Sequence, residues 1–213
     1  MISLKLNIGC GPSGLKGWLN YDWGVLPLLS KLIYLRKILI FLGVLPKGYE
    51  TSWPSIKLVD IRRKFPLKDN TVKYIYCSHV LEHFERWEAL KIFTECKRVL
   101  KKGGVMRIVV PDIEKMFQLY HQAKNRPGRE LCRLWWGFNK DEKPKNFIQK
   151  ISRWFIRDHR WNYDLSELRI LIKEAGFSKV YLRDFQTGTV PDLEKLDLES
   201  HHNHSLYLEA VKD

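Results

Sequence analysis

The stretch Leu6-Asn7-Ile8-Gly9-Cys10-Gly11-Pro12-Ser13-Gly14 decides the fold of this chain. It runs from a short apolar segment, predicted as a strand, into a glycine-rich turn. Glycines have no Cβ, so a ligand can reach the main-chain N–H groups of such a turn, and nucleotide-like cofactors are bound in this way. An acidic residue, Asp22, ends a second short apolar segment. This combination predicts a cofactor pocket near the amino terminus.

The run Gly9–Gly14 also fits G-x-G-x-x-G, the pattern of dinucleotide-binding proteins. Two features oppose a nicotinamide cofactor. The acid of that pattern comes about 20 residues further on, after a full helix, whereas Asp22 follows Gly14 by eight residues. Pro12 also disfavours a helix that opens inside the motif. The remaining alternative is that these glycines only form a loop.

Three more apolar segments are predicted as strands, at 57–60, 74–78 and 105–112. Helical spacing over 85–101 predicts a helix, and Gly103-Gly104 is typical of a helix end. Asp164 is predicted to cap a helix that runs to Ala175 and stops at Gly176. Segments 179–185 and 205–212 are predicted as the last two strands.

Four segments, in this order, resemble the successive motifs of the class I S-adenosylmethionine-dependent methyltransferases. They are LNIGCG (6–11), VDIRRKFPLKDNTVKYIYCSHVLEHF (59–84), RVLKKGGVMRIVVPD (98–112) and YDLSELRILIKEAGFSKV (163–180). The set is most similar to a small, type 11-like group with the signature SHVLEH. The resemblance covers the first half of the chain and its last quarter. It implies a Rossmann-like α/β fold with a seven-stranded, mostly parallel sheet, an antiparallel last strand and helices on both faces.

The resemblance also implies which residues contact S-adenosylmethionine. They are Asn7, Gly9, Cys10, Gly11, Asp22, Asp60, Ile61, Ser78 and His79. The glycine turn would approach the methionine part, Asp22 would accept hydrogen bonds from the ribose hydroxyls, and Asp60 and Ile61 would meet the adenine. The family usually has an acid where Asn7 stands, so an acceptor oxygen is kept there without the charge.

The acceptor side is expected around Ser78 and His79, just past the fourth strand. His79 is the candidate general base, because an imidazole titrates near neutral pH. The alternative is that His79 only shapes the pocket. His159, Arg160 and Tyr163 resemble a second family segment that faces the acceptor.

Two histidine motifs raise the question of a metal. His79-Val80-Leu81-Glu82-His83 fits H-x-x-E-H, the inverted zinc-protease motif. Its position at the end of a strand argues against zinc hydrolysis, and we expect no metal. The sequence HHNH (201–204) is expected to lie in an exposed loop.

The 213 residues favour a single domain (1–213), with insertions at about 23–55 and 124–163. The formal net charge of +13 indicates an anionic partner or a solvated basic surface. The four cysteines form no C-x-x-C pair and suggest reduced, intracellular thiols. We expect a cytoplasmic location, with membrane association left open.

The insertions suggest partners. Segment 26–45 is apolar but carries Lys31, Arg36 and Lys37, so a helix lying on an anionic membrane is an alternative to one packed on the domain. Segment 124–163 holds eleven Lys or Arg, four Asp or Glu and eight aromatic residues. It could bind nucleic acid or a sugar, or its tryptophans (135, 136, 154 and 161) could fill a small core.

We expect methyl transfer to an oxygen of a glycan, glycolipid or small-molecule acceptor. The glycan preference rests on the resemblance, since bacterial relatives of this type often look like enzymes of surface-polysaccharide biosynthesis. An RNA methyltransferase, suggested by the charge, and a non-catalytic binding module on the same fold are the alternatives.

Overall fold

The computed structural model describes residues 3–45, 47–50, 55–124, 127–136, 143, 147, 150 and 158–213. The strands are β1 (Leu4–Ile8), β2 (Leu19–Asp22), β3 (Ile56–Leu58), β4 (Val72–Ser78), β5 (Leu100–Pro111), β6 (Lys179–Arg183) and β7 (Ser205–Val211). The helices are α1 (Val25–Lys31), α2 (Ile33–Phe41), α3 (Arg86–Val99), α4 (Ile113–Gln122), α5 (Pro127–Trp136), α6 (Leu165–Glu174) and α7 (Leu193–Leu196). Short 3₁₀ turns lie at Gly11–Ser13, Lys47–Glu50, Leu81–His83 and Glu199–His204.

The seven strands form one sheet in the order β3-β2-β1-β4-β5-β7-β6. Strands β1 to β5 pair in parallel, and β7 pairs antiparallel with both β5 and β6. The predicted fold class is therefore confirmed. The carboxyl ends of β1, β2 and β4 lie at one edge, which is where open α/β sheets place their ligands.

The link between β1 and β2 is short, as the sequence predicts. It contains a single 3₁₀ turn, Gly11–Ser13, with Pro12 in its first positions. The side chain of Asn20 holds this link by exchanging hydrogen bonds with the backbone of Leu15 at 3.1 and 3.2 Å. The glycine turn is thus tied directly to the second strand.

The predicted end of α3 at Gly103-Gly104 is wrong, because the helix ends at Val99 and β5 begins at Leu100. Leu100 is fully buried and pairs with Val72 of β4. The two glycines lie inside the strand, where the register between β4 and β5 shifts. Glycine in a strand often marks such an irregularity. Gly103-Gly104 therefore marks an irregularity inside β5 rather than the end of α3.

The amino-terminal end of α3 is closed by a capping box between Glu85 and Glu88. Asp164 accepts from the backbone N–H of Glu167 at 2.7 Å and caps α6, as predicted. Gly176 follows α6 with a φ of +92°, a conformation that glycine adopts easily. These local signals fix three helix boundaries: the start of α3 and both ends of α6.

The apolar segment 26–45 forms two helices rather than one, because the backbone at Leu32, between α1 and α2, is not helical. No helix in the described part of the chain is long and apolar enough to cross a membrane. Half of the predicted basic cap (124–163), including Trp154, lies outside the described residues.

Candidate functional site

The glycine turn follows β1 directly. Gly9 and Gly11 have φ values of +65° and +50°, a region that side chains with a Cβ rarely adopt. The N–H of Gly9 donates to the carbonyl of Tyr21 at 2.8 Å, so the turn folds back along β2. A Cβ on Gly9 would come within 2.2 Å of Val80 Cγ2, whereas a Cβ on Gly11 would meet no atom within 4 Å. Val80 therefore fills the space beside Gly9, whereas the space beside Gly11 is free for a ligand.

The structure brings Asp22 to this turn. Its Oδ2 accepts from the N–H of Gly11 at 2.8 Å, and its Oδ1 accepts from the N–H of Trp23 at 2.7 Å. Burial and the nearby Asp22 charge raise the pKa of the Cys10 thiol to about 12. Cys10 is therefore a neutral wall of the pocket rather than a nucleophile. A carboxylate beside a bare-backbone turn is the arrangement that the sequence predicts.

The predicted adenine side lies next along the sheet. The N–H of Val59 donates to the carbonyl of Asp22 at 3.0 Å, which places Asp60 near the same edge. Arg62 binds both oxygens of Asp60 at 2.9 Å, and this ion pair lowers the pKa of the Asp60 carboxyl. Ile61 packs in the core. Asn7 is buried in β1 and faces Tyr76 and Asn20 across the strand pairing.

His79 follows the end of β4 at Ser78 with a φ of +52°, a strained conformation for a residue with a Cβ. Its Nε2 lies 2.8 Å from Ser205 Oγ, and its Nδ1 lies 3.2 Å from Glu82 Oε1. Burial lowers the pKa of His79 to about 4, so the ring is neutral at neutral pH. Both ring nitrogens face protein groups. The geometry therefore favours the alternative in which His79 shapes the pocket, and its role as a base stays a prediction.

The residues of HHNH are not simply exposed, and that expectation is corrected here. The ring of His201 lies 3.7 Å from the His79 ring, centroid to centroid, and the ring of His204 lies 5.6 Å from it. Burial, and to a smaller extent the adjacent His79 and His204, lower the pKa of His201 to about 3. The register Pro111↔Ser205 explains this placement, because it brings the residues before β7 to the carboxyl end of β5.

The second predicted acceptor segment is only partly accessible. The N–H of Arg160 donates to the carbonyl of Glu82 at 2.7 Å, and the Arg160 side chain is 57% exposed. Tyr163 is fully buried, packs in the core and forms a bridge with Asp112. The prediction that Tyr163 lies on the acceptor surface is therefore wrong. Its aromatic ring is part of the core on which the site is built.

The closeness of Val80 makes Gly9 testable. Replacing Gly9 by Ala is expected to cost about 1–3 kcal/mol more stability than replacing Gly17 by Ala, because only Gly9 would overpack a neighbour. Gly17 is a matched control, since its φ of +87° carries the same backbone penalty with no atom within 4 Å of the added Cβ. Denaturant unfolding measures both. Equal losses at the two positions, or no recovery in Gly9→Ala with Val80→Ala, would contradict the packing argument.

Residues 46–108, which include β3, β4 and α3, match the family described as "Methyltransferase domain". No curated protein matches the sequence.

Solved structures share the fold at low identity. PigF, solved with SAH, is 15% identical with a TM-score of 0.52, over 99% of this chain and 56% of PigF. A Thermotoga maritima protein, described as a SAM-dependent methyltransferase and possible histamine N-methyltransferase, is 13% identical with a TM-score of 0.53, over 99% of this chain and 82% of that one. A Nostoc punctiforme PCC 73102 structure is 13% identical with a TM-score of 0.52, over 100% and 53%. The chain thus spans about half the length of some of these structures, and the likeness concerns the fold.

Proposed function

We propose that this chain is an S-adenosylmethionine-dependent methyltransferase and that it methylates an oxygen of a lipid-linked glycan at a membrane surface. The match of residues 46–108 to a methyltransferase domain and the shared fold support the methyl-transfer part. The observation that carries the lipid-linked part is an exposed apolar surface that begins directly after Asp22. The glycan part comes from the resemblance of the sequence motifs to surface-polysaccharide enzymes. The cofactor itself is supported by the geometry of the glycine turn.

The residues present fit the cofactor. The open space at Gly11, where a Cβ would meet nothing, leaves room for a ligand against the backbone. Asp22 lies beside this turn and accepts from the N–H groups of Gly11 and Trp23. A carboxylate offers about four acceptor positions, which is the chemistry that binds ribose hydroxyls. When bound, S-adenosylmethionine would supply a methyl group to the acceptor oxygen: the S–C bond breaks with its electron pair left on sulfur, and the acceptor hydroxyl releases its proton to solvent.

The chain's own residues supply position rather than covalent chemistry. Alignment of two reactants can lower a barrier by about 7–11 kcal/mol. The strained backbone at His79 is held by its N–H, which donates to the carbonyl of Val109 at 2.9 Å. This bond keeps the His79 ring between Ser205 and Glu82. We assign His79 a positioning role: its ring, held in place by Ser205 and Glu82, forms the surface that the acceptor contacts.

Ten large apolar side chains are exposed within twenty residues after β2, out of eighteen such side chains in the described residues. They are Trp23, Val25, Leu28, Leu32, Ile33, Tyr34, Leu35, Ile38, Phe41 and Leu42, and we call them the α1–α2 surface. Soluble proteins rarely expose contiguous apolar patches of this kind without a partner. Lys31 and Lys37 are exposed on the same helices. Apolar side chains with flanking cations suit the headgroup region of an anionic membrane.

Methyl transfer into fractionated cell extract tests this proposal. With labelled cofactor, label is expected in the lipid fraction, and flotation with anionic liposomes is expected to recover the protein. Ile38→Asp with Phe41→Asp is expected to reduce both by at least about tenfold, because each buried apolar side chain contributes about 1.5–3 kcal/mol. Trp87→Asp is the matched control, since Trp87 is 56% exposed but lies on α3.

The other outcomes each overturn the proposal. Label in RNA, with binding that falls steeply as salt rises, would indicate an RNA methyltransferase. Label in a water-soluble glycan, unchanged by the α1–α2 substitutions, would remove the membrane. Binding of cofactor with no transfer to any fraction would indicate a non-catalytic module.

A further inference from the structure

Three side chains that the proposed cofactor site does not use converge beside it. Glu82, His83 and His159 each direct a ligand atom to one place, and these atoms lie within 4.8 Å of one another. We propose that they bind a divalent transition-metal ion, with zinc as the probe of choice. Two imidazole nitrogens and one carboxylate oxygen form a ligand set that such ions favour.

Glu82 is the strongest sign of a ligand. Its side chain is 1% exposed, and among the residues that the structure describes neither Oε1 nor Oε2 has a hydrogen-bond donor within bonding geometry. A buried carboxylate without donors costs free energy unless a cation balances it. The nearest polar contact is His79 Nδ1 at 3.2 Å from Oε1. A metal ion would satisfy these oxygens, and the His79 ring would then steady the ligand carboxylate.

The two histidines are arranged as metal ligands commonly are. His83 Nδ1 lies 3.2 Å from the carbonyl oxygen of Asp158, which leaves Nε2 for a metal. His159 Nδ1 is buried and has no hydrogen-bond partner within the described part of the chain, so it is available to a ligand. Ligating histidines almost always donate their second N–H to a carbonyl or carboxylate, which fixes the tautomer and the ring orientation.

The backbone brings these distant residues together. Arg160 and Trp161 donate their N–H groups to the carbonyl of Glu82 at 2.7 and 3.2 Å. This pair of hydrogen bonds joins His159 to the 3₁₀ turn Leu81–His83 across 76 residues of sequence. In the inverted zinc-protease motif H-x-x-E-H, the two histidines lie on one face of a helix and bind zinc together. Here the motif lies on a strand end and a short turn, so His79 and His83 do not form such a pair. The last two residues of the motif take part, and the third ligand comes from elsewhere.

Three protein ligands leave a coordination position open, as in catalytic rather than structural metal sites. The turn that carries Glu82 also carries Val80, whose side chain lies against Gly9. The candidate metal site therefore lies close in sequence to a residue that packs on the cofactor turn. Resting on the proposed function, we infer that the open position holds the acceptor oxygen, while metal binding itself requires neither cofactor nor acceptor.

Titration of the chelator-treated protein with zinc, followed by calorimetry, tests the site without any methyl-transfer assay. One zinc ion per chain is expected to bind. Glu82→Gln and His159→Gln are each expected to weaken binding at least a hundredfold. His202→Gln is the matched control, because His202 stacks on Phe185 outside the cluster and its loss leaves the three ligands intact.

Thermal melting with and without zinc separates binding from folding. Zinc is expected to raise the Tm of the wild type and of His202→Gln but not of Glu82→Gln. Glu82→Gln should melt close to the metal-free wild type, because glutamine has nearly the same shape and can still contact His79 Nδ1. No stoichiometric binding would overturn the site. Binding that survives Glu82→Gln but is lost in His201→Gln would assign the metal to residues 201–204 and would equally overturn it.

Discussion

Replacing Asp22 by Ala is expected to weaken the binding of S-adenosylhomocysteine by about a hundredfold. A hydrogen bond to a charged group contributes about 1.5–3 kcal/mol, and 1.4 kcal/mol corresponds to a factor of ten in affinity. The substitution also removes the acceptor that holds the N–H of Gly11 beside β2. Isothermal titration calorimetry measures the change in affinity.

Two variants distinguish the loss of the Asp22 hydrogen bonds to the ligand from the loss of a negative charge and from unfolding. Asp22→Asn keeps one acceptor oxygen and is expected to bind with intermediate affinity. Glu194→Ala removes one negative charge at a site where the side chain is 63% exposed and its ion-pair partner is Lys195. It is expected to bind like the wild type. An Asp22→Ala protein that is folded and binds as tightly as the wild type would exclude Asp22 from the ribose site.

Replacing Asp197 by Ala is expected to lower the free energy of unfolding by about 3–5 kcal/mol, because it leaves a buried guanidinium without its partner. Arg107 and Asp197 are both fully buried and form an ion pair at 2.5 Å. Asp197 also accepts from the hydroxyl of Tyr76 at 3.0 Å and from the N–H of Gln186 at 3.0 Å. A loss of this size would lower the Tm by roughly 10 °C in a chain of this length.

The same pair fixes part of the candidate site. Asp197 lies just before the 3₁₀ turn Glu199–His204, whose His201 packs on His79. Replacing both members, as Arg107→Met with Asp197→Leu, is expected to cost less than Asp197→Ala alone, since no unpaired charge remains. Equal losses for the single and double variants, measured by denaturant unfolding, would show that packing rather than charge dominates here.

The sequence predicted the features that depend on neighbouring residues. The glycine turn, Asp22, and the cap at Asp164 are all recognisable because backbone conformation and capping depend on local residue types. The seven strands and the antiparallel direction of the last one followed from the family resemblance, whereas the strand order comes from the structure. The start of β5 was missed because Val99 and Leu100 are buried whether the segment is helix or strand, so periodicity could not decide.

The features that the sequence missed depend on distant contacts. His201 lies against His79 only because β7 pairs with β5, and His159 joins Glu82 through backbone bonds over a long separation. The burial of Tyr163 also depends on its bridge to Asp112. No local pattern carries this information. The signal that could have found His201 is its position directly before the last strand, which the resemblance implied to be antiparallel.

The central claim is that the glycine turn and Asp22 together bind S-adenosylmethionine. A crystal structure with S-adenosylhomocysteine tests it most directly. We predict the ribose hydroxyls within about 2.6–3.2 Å of the Asp22 oxygens, and the homocysteine part against the backbone of residues 9–11. A ligand bound elsewhere, or a glycine turn filled by the protein's own side chains in the complex, would contradict the claim.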